Sequence, residues 1–230
     1  MFSDFDFDAI IRALPYLFRD GMSFTVTLTL LSALGGLVLG TLIALVRISG
    51  GKLLATIAAG YVNFMRALPL VLVIFWFYFL VPYLGQWLTG APRPIKVGGF
   101  SSALLTFVMF EAAYFSEIMR GGIQSVARGQ SSAALALGMT GGQSMRYIIL
   151  PQVVRTMLPV LLTQTIVLFQ DTSLVYVLSL TDFLGAASKI AQRDGRLVEM
   201  YCFAALVYFL ICFLASQAVR RLQTRVAIIR

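Results

Sequence analysis

The sequence has no histidine, and it has no phosphate-binding loop of the form GxxxxGK[ST]. Histidine is the side chain that most often acts as an acid or base near neutral pH, and the missing loop is the one that holds nucleotide phosphates in many ATPases. Nothing in the sequence is arranged like a nucleophile beside its base. The chain is therefore predicted not to be an enzyme, to carry no ATP-binding motif and to use no cofactor or metal.

Charged residues are also scarce, at 12% of the sequence, whereas 59% of the residues are hydrophobic and the mean hydropathy is +0.88. A soluble domain of 230 residues has too little interior to bury so much apolar surface, so the composition predicts an integral membrane protein. The two cysteines, Cys202 and Cys212, lie ten residues apart in one apolar run. This spacing indicates packing rather than a disulfide or a metal site.

Five apolar runs are long enough to cross a bilayer, which takes about 20 residues of helix. The runs are 22–46, 67–92, 97–116, 156–181 and 200–219. Glu111 interrupts the third run and Asp171 the fourth, and the other three contain no charge. We therefore expect an all-α integral membrane protein with five transmembrane helices. If either interrupted run were only interfacial, four helices would leave both termini on one side.

The basic residues lie near the ends of these runs rather than in one patch. This distribution argues against nucleic-acid binding in spite of the net charge of +8. With the N-terminus outside, ten Lys and Arg residues fall on the inner side and seven on the outer side, and Arg66 lies within a span. Positive charge is retained on the cytoplasmic side of membrane proteins, so the N-terminus is predicted outside and the C-terminus inside.

The predicted organisation is an outer, interfacial segment 1–21, a five-span domain 22–220 and a basic inner tail 221–230. The alternative for the first segment is a flexible tail. In the first span, Gly36 and Gly40 have the small-xxx-small spacing that lets helices approach closely. No internal repeat is evident, which disfavours the inverted-repeat folds of many secondary transporters.

A long inner loop, 121–151, contains small residues, a glycine turn and a proline. The pattern predicts a short helix over 130–137 that ends at Gly138, then a turn at the Gly-Gly pair and a second helix over 144–150. We expect Pro151 to close the second helix. From spacing alone, an ordinary inner loop is an equally good interpretation.

Within this loop, Ala133-Ala134, Gly138 and Leu150-Pro151 have the spacing of the "EAA" loop of ABC importer permeases, which the loop resembles. Three further stretches look like the polar amino acid permeases of the histidine/glutamine type. They are "FMRALPLVLVIFWFYFLVP", "FEAAYFSEIMRGGIQSVARGQSSAALALGM" and "LFQDTSLVYVLSL". The resemblance covers nearly the whole chain and implies a type-1 ABC importer permease fold with a cytoplasmic coupling helix.

In that family the loop docks into a groove on a cytoplasmic ATPase. The residues that the resemblance places in this contact are Gln130, Ser132, Ala133, Ala134, Gly138, Leu150 and Pro151. Ser132 stands where the family's loop usually has glutamate, which puts an ion pair at that position in doubt but not the shape of the helix.

The resemblance also implies a function: a permease subunit in the translocation path for acidic amino acids, glutamate and aspartate. Its implied partners are a cytoplasmic ABC ATPase dimer that uses the ATP, a second homologous permease in a heterodimer rather than a homodimer, a periplasmic amino-acid-binding protein and membrane lipid. The implied location is the bacterial inner membrane. Another polar amino acid, such as glutamine, is the alternative substrate. A stand-alone secondary transporter or channel and a membrane scaffold without a pathway are the alternatives of other classes.

Charges within membrane spans are costly, so they are candidates for function. Glu117 and Arg120 are three residues apart on one predicted helix and are expected to pair, either structurally or as a gating contact. Glu111 lies deep in its span, where we expect it to take up a proton or to pair with Arg66.

The sequence "QDTSL" places three residues that favour helix starts inside an apolar run. A helix break there would expose a half-helix N-terminus suited to a substrate carboxylate. The alternative is that Thr172 and Ser173 bond back to the preceding turn. In the resembling family this region lines the translocation path. The predicted path residues are Arg66, Glu111, Gln170, Asp171, Thr172 and Ser173.

Overall fold

The computed structural model describes residues 5–226, and this part of the chain is helical without a strand. The α-helices are α1 Phe7–Tyr16, α2 Ser23–Ser49, α3 Lys52–Ala67, α4 Leu70–Thr89, α5 Gly99–Ser125, α6 Arg128–Ala136, α7 Gly141–Ser144, α8 Leu150–Asp171, α9 Phe183–Asp194 and α10 Leu197–Val226. π-helical turns over Leu17–Met22 and Met145–Ile149 join α1 to α2 and α7 to α8, and a 3-10 helix over Thr172–Leu178 follows α8.

Five helical segments are long and apolar enough to cross a membrane, which confirms the predicted number of spans. They are Phe7–Ser49, Leu70–Thr89, Gly99–Ser125, Gly141–Leu178 and Leu197–Thr224. The third segment, which contains α5, is the most buried of the five. The helix α5 is therefore the one against which much of the remaining chain packs.

The chain divides into two compact units. The first comprises the described residues up to Leu34 together with Pro69–Val108 and Thr165–Ala215. The second comprises Gly35–Leu68, Met109–Gln164 and the described residues from Ser216 onward. Long helices such as α2 and α5 contribute residues to both units.

In the first unit, α1 packs against α9. Asp6 caps α1 by accepting a hydrogen bond from the Ala9 N–H at 2.9 Å. Ala9 and Ala13 are buried with residues of α9 in one apolar cluster. Gly21 lies so close to α9 that a Cβ there would come within 2.9 Å of the Ala186 Cβ. The segment predicted to be interfacial is thus continuous with the first span, and its first four residues lie outside the described residues.

The helix α9 lies between the predicted spans 156–181 and 200–219, where the sequence analysis predicted no helix. Asp182 begins the helix by accepting hydrogen bonds from the N–H groups of Leu184 and Gly185, at 3.0 and 3.1 Å. Burial raises the pKa of Asp182 to about 7, and the two N–H groups act in the opposite direction. Helical periodicity was masked in the sequence because the buried face consists largely of small residues, Ala186, Ala187 and Ala191 among them.

In the second unit, α2 and α5 approach closely where the glycine spacing predicted a close helix contact. A Cβ on Gly36 would lie 2.9 Å from the Glu111 Cβ, and a Cβ on Gly40 would lie 2.7 Å from the Ala112 carbonyl oxygen. Real Cβ atoms essentially never come this close to another atom. Glycine at these two positions therefore sets the distance between the helices.

Pro151 does not end a helix, so that prediction is wrong. The π-helical turn over Met145–Ile149 leads directly into α8, and Pro151 is the second residue of α8. A proline inside a helix removes one N–H donor, and π-helical turns commonly occur inside longer helices. The wider turn just before Pro151 lets the helix continue past it. The tail 221–230 lies in part outside the described residues.

Candidate functional site

The short helix α6 and the turn after it form the exposed segment between the third and fourth spans. The turn is a Schellman motif, in which the N–H of Met139 donates to the Ala134 carbonyl at 3.2 Å and that of Gly138 to Leu135 at 3.0 Å. Gly138 has φ 81°, a left-handed conformation that favours glycine. The predicted helix stop is thus present at Gly138.

A second local motif fixes the far side of the turn. Thr140 begins α7 with a capping box: the Gln143 N–H donates to Thr140 Oγ1 at 3.2 Å, and the Thr140 N–H donates to Gln143 Oε1 at 2.8 Å. Sequence analysis missed this cap, although a threonine followed three residues later by glutamine is its usual signature. Four residues between two helices are therefore held rigidly.

The segment is exposed and in part apolar. Leu137 is 83% exposed and Leu135 53% exposed, and Tyr147 is exposed near them in sequence. Among the predicted contact residues, Ser132 and Ala133 are exposed, but Ala134 is buried within its own chain. One hydrogen bond joins the two ends of the segment: Gln152 of α8, which follows Leu150 and Pro151 in sequence, donates from Nε2 to Gln130 Oε1 at 3.5 Å. Large exposed apolar side chains on a rigid loop are typical of a docking surface.

A three-residue ion cluster joins α2 to α5. Arg47 Nη1 lies 2.6 Å from Glu117 Oε1, and Arg120 Nη2 lies 2.6 Å from Glu117 Oε2. All three side chains are at least two-thirds buried. The i,i+3 pair of Glu117 and Arg120 was predicted, whereas Arg47 was missed because 70 residues separate it from Glu117.

Glu111 and Arg66 each have a different described partner. Glu111 is fully buried, and both its oxygens accept from Gln164 Nε2, at 3.3 and 3.2 Å. Arg66 lies in the last turn of α3, the helix before the candidate span Leu70–Thr89, and its place within a span stays a prediction. Its guanidinium stacks over the Tyr114 ring, 5.4 Å from the ring centroid. A direct pair between Glu111 and Arg66 stays a prediction.

No half-helix N-terminus is exposed in the stretch 170–173, which corrects that expectation. α8 ends at Asp171, and the 3-10 helix Thr172–Leu178 follows it directly. Thr172 is buried and donates from Oγ1 to the Phe169 carbonyl at 2.8 Å, as in the alternative interpretation. The 3-10 helix continues the helical backbone from the end of α8 to Leu178. The helical conformation ends at Ser179, whose φ is 59°.

Charge is distributed very unequally between the two units. The second unit has eleven Lys and Arg residues against two acids, Glu111 and Glu117. Both acids are engaged by the contacts described above. The first unit has seven basic and eight acidic residues. The loop 121–151 and the tail 221–230 thus belong to a strongly cationic part of the chain.

The family described as "Binding-protein-dependent transport system inner membrane component" matches residues 36–228. The chain belongs to this family. The match includes the segment from α6 to α8 and shows that the chain is a permease subunit of an ABC importer.

Individual relatives match almost end to end. The glutamate/aspartate import permease protein GltK of Escherichia coli O157:H7 is 53% identical, over 97% of this chain and 99% of that protein. The glutamine transport system permease protein GlnP of Escherichia coli K12 is 32% identical, over 98% and 99%. A crystal structure of an amino acid ABC transporter with histidines has a chain with a TM-score of 0.81 and 31% identity, covering 96% of this chain and 98% of that one. The predicted fold class is confirmed.

Proposed function

We propose that this chain is the permease of an ATP-driven importer of acidic amino acids and forms part of the path for glutamate and aspartate. The observation that carries the proposal is the 53% identity to a glutamate/aspartate permease over nearly the whole of both chains. ATP is hydrolysed by a cytoplasmic ABC ATPase dimer. A second, homologous permease completes the path as a heterodimer, and a periplasmic amino-acid-binding protein delivers the substrate.

The coupling surface in this proposal is the segment 130–151. It is supported by the two rigid motifs around Gly138 and by the exposed side chains of Leu135 and Leu137. A rigid surface transmits a displacement of the ATPase, whereas a flexible loop would absorb it. Ser132 keeps the helix surface small at the position where the family has glutamate.

The proposed substrate path includes two groups of polar residues, one in each unit. In the second unit these are Arg66 and Glu111; in the first unit they are Gln170, Asp171, Thr172 and Ser173. Asp171 is half-buried and Gln170 is exposed, so both are available to a polar path in a helix of membrane length. The cluster of Glu117 and Arg120 is proposed to be structural, since Arg47 closes it on the other side.

The class of transporter is tested by uptake in cells that lack the corresponding importer. Cells that express this chain with its partner subunits are expected to accumulate radiolabelled glutamate after a protonophore has collapsed the proton gradient, as long as ATP is maintained. ATP depletion is expected to stop uptake. Uptake that follows the proton gradient and survives ATP depletion would instead identify a secondary transporter.

The proposed location is the bacterial inner membrane, with the N-terminus in the periplasm and the C-terminus in the cytoplasm. The cationic second unit, which contains the loop 121–151 and the tail, supports this orientation because basic residues are retained on the cytoplasmic side. Fusions of alkaline phosphatase, which is active only in the periplasm, are expected to be active at residue 95 and inactive at residue 230. The reverse pattern at either position would refute the orientation.

A further inference from the structure

The buried pair of Glu111 and Gln164 contains a group with an unused hydrogen-bonding capacity. Glu111 is fully buried, and a Cβ on Gly36 would come within 2.9 Å of the Glu111 Cβ, so a residue larger than glycine does not fit at position 36. Gln164 is only half-buried and presents its amide nitrogen to both carboxylate oxygens. Of these two side chains, Gln164 is therefore the one that a solute is able to reach.

The carboxylate determines which way the amide faces. An ionised carboxylate only accepts hydrogen bonds, and the two ends of a glutamine amide are a donor and an acceptor. Because Nε2 faces Glu111, the amide oxygen Oε1 is directed away from it. Among the backbone groups and side chains that the structure describes, no donor is bonded to this oxygen. A half-buried amide in a membrane-length helix is costly against hydrocarbon, so an acceptor left over there indicates a polar ligand.

The helix α5 also holds a cation, the Arg66 guanidinium, about one helical turn away from Glu111. Tyr114 follows Glu111 by three residues on α5, which is about 4.5 Å along the axis. The Tyr114 ring supports the guanidinium of Arg66, and Arg66 is exposed. Within the second unit, α5 thus holds Gln164 and Arg66 through two side chains on one face. One group is a hydrogen-bond acceptor and the other a cation, which complement the ammonium and the carboxylate of an α-amino acid.

We infer that Gln164 is a substrate-contacting residue whose amide oxygen accepts a hydrogen bond from the substrate ammonium. Glu111 is a positioning residue that aims this oxygen, and Arg66 faces the α-carboxylate. The inference rests on the proposed function, in that it takes the solute to be an amino acid.

The test uses the complete importer, reconstituted in liposomes with its ATPase, partner permease and binding protein. Gln164→Met keeps the length of the side chain and removes the acceptor, and it is expected to lower the initial rate of glutamate uptake about tenfold or more. Thr163→Val is the matched control, since within the described part of the chain the Thr163 hydroxyl bonds only to the Pro159 carbonyl of its own helix. This variant is expected to transport like the wild type.

A charge exchange separates positioning from packing. Gln164→Glu alone places two carboxylates together and is expected to be impaired, whereas Glu111→Gln combined with Gln164→Glu restores one donor facing one acceptor and is expected to recover most of the wild-type rate. Gel filtration checks that each complex assembles.

The inference is overturned if Gln164→Met transports normally, or if the assembled double variant is no faster than Gln164→Glu. If Gln164→Met does not assemble, the comparison of the two glutamate variants decides. Failure of the wild-type complex to take up glutamate or aspartate would instead refute the proposed function.

Discussion

Gly138→Trp is expected to abolish ATP-driven uptake, or to release the ATPase from the membrane complex. Gly138 has φ 81°, where any residue with a Cβ is strained by about 1–2 kcal/mol. The space around it is open, since a Cβ at this position meets nothing within 4 Å of its own chain. An indole ring there would stand on the surface proposed to contact the ATPase. Uptake and co-purification of the ATPase with the permease are the two measurements.

The matched control is Gly90→Trp. Gly90 follows α4 with φ 66° and is likewise surrounded by open space, so the substitution introduces the same strain and the same bulk outside the segment 130–151. We expect Gly90→Trp to retain uptake and the ATPase. Equal losses in the two variants would mean that backbone strain, and not an ATPase contact, explains the effect at Gly138. Normal uptake in Gly138→Trp would show that the segment 130–151 is not the coupling surface.

Glu117→Gln is expected to lower both the thermal stability of the purified complex and its uptake rate by large amounts. The substitution leaves the guanidinium groups of Arg47 and Arg120 close together and mostly buried without their carboxylate. Breaking such a pair by removing one partner costs about 3 kcal/mol. The unfolding midpoint in detergent and the initial rate of glutamate uptake are the readouts.

An exposed ion pair provides the control for this variant. Arg193 Nε lies 2.6 Å from Asp194 Oδ1, the same distance as in the buried cluster, but the Arg193 side chain is 73% exposed. Asp194→Asn is expected to leave the unfolding midpoint nearly unchanged, because solvent screens exposed pairs. A Glu117→Gln complex that unfolds and transports like the Asp194→Asn complex would show that the cluster has neither a structural nor a gating role.

The features that could be predicted from the sequence are those carried by local patterns. Five long apolar runs predicted five spans, the small-residue spacing of Gly36 and Gly40 predicted a close helix contact, and Gly138 predicted the end of α6. The i,i+3 spacing likewise placed Arg120 beside Glu117. In each case the determining residues are near neighbours in the chain, so the physical cause is visible in one short window.

The features that were missed depend on partners distant in the chain. Arg47 meets Glu117 across 70 residues, and Gln164 meets Glu111 across 53. α9 is buried largely through small residues, which give a weak periodic signal. For the stretch around Thr172 the sequence left two interpretations open, because a threonine that favours helix starts also bonds back to the preceding turn when it is buried. Burial decides between the two, and a single sequence does not show burial at that position.

The most direct test of the account is substrate competition in liposomes that contain this permease with its partners. Uptake of radiolabelled glutamate is measured with ATP on the side of the membrane where the ATPase lies. The cognate binding protein and an excess of unlabelled aspartate or glutamine are on the opposite side. The account predicts that aspartate abolishes the uptake of glutamate and that glutamine leaves it unchanged, with no uptake when ATP is withheld. Uptake without ATP, or transport of glutamine in place of glutamate and aspartate, would contradict it.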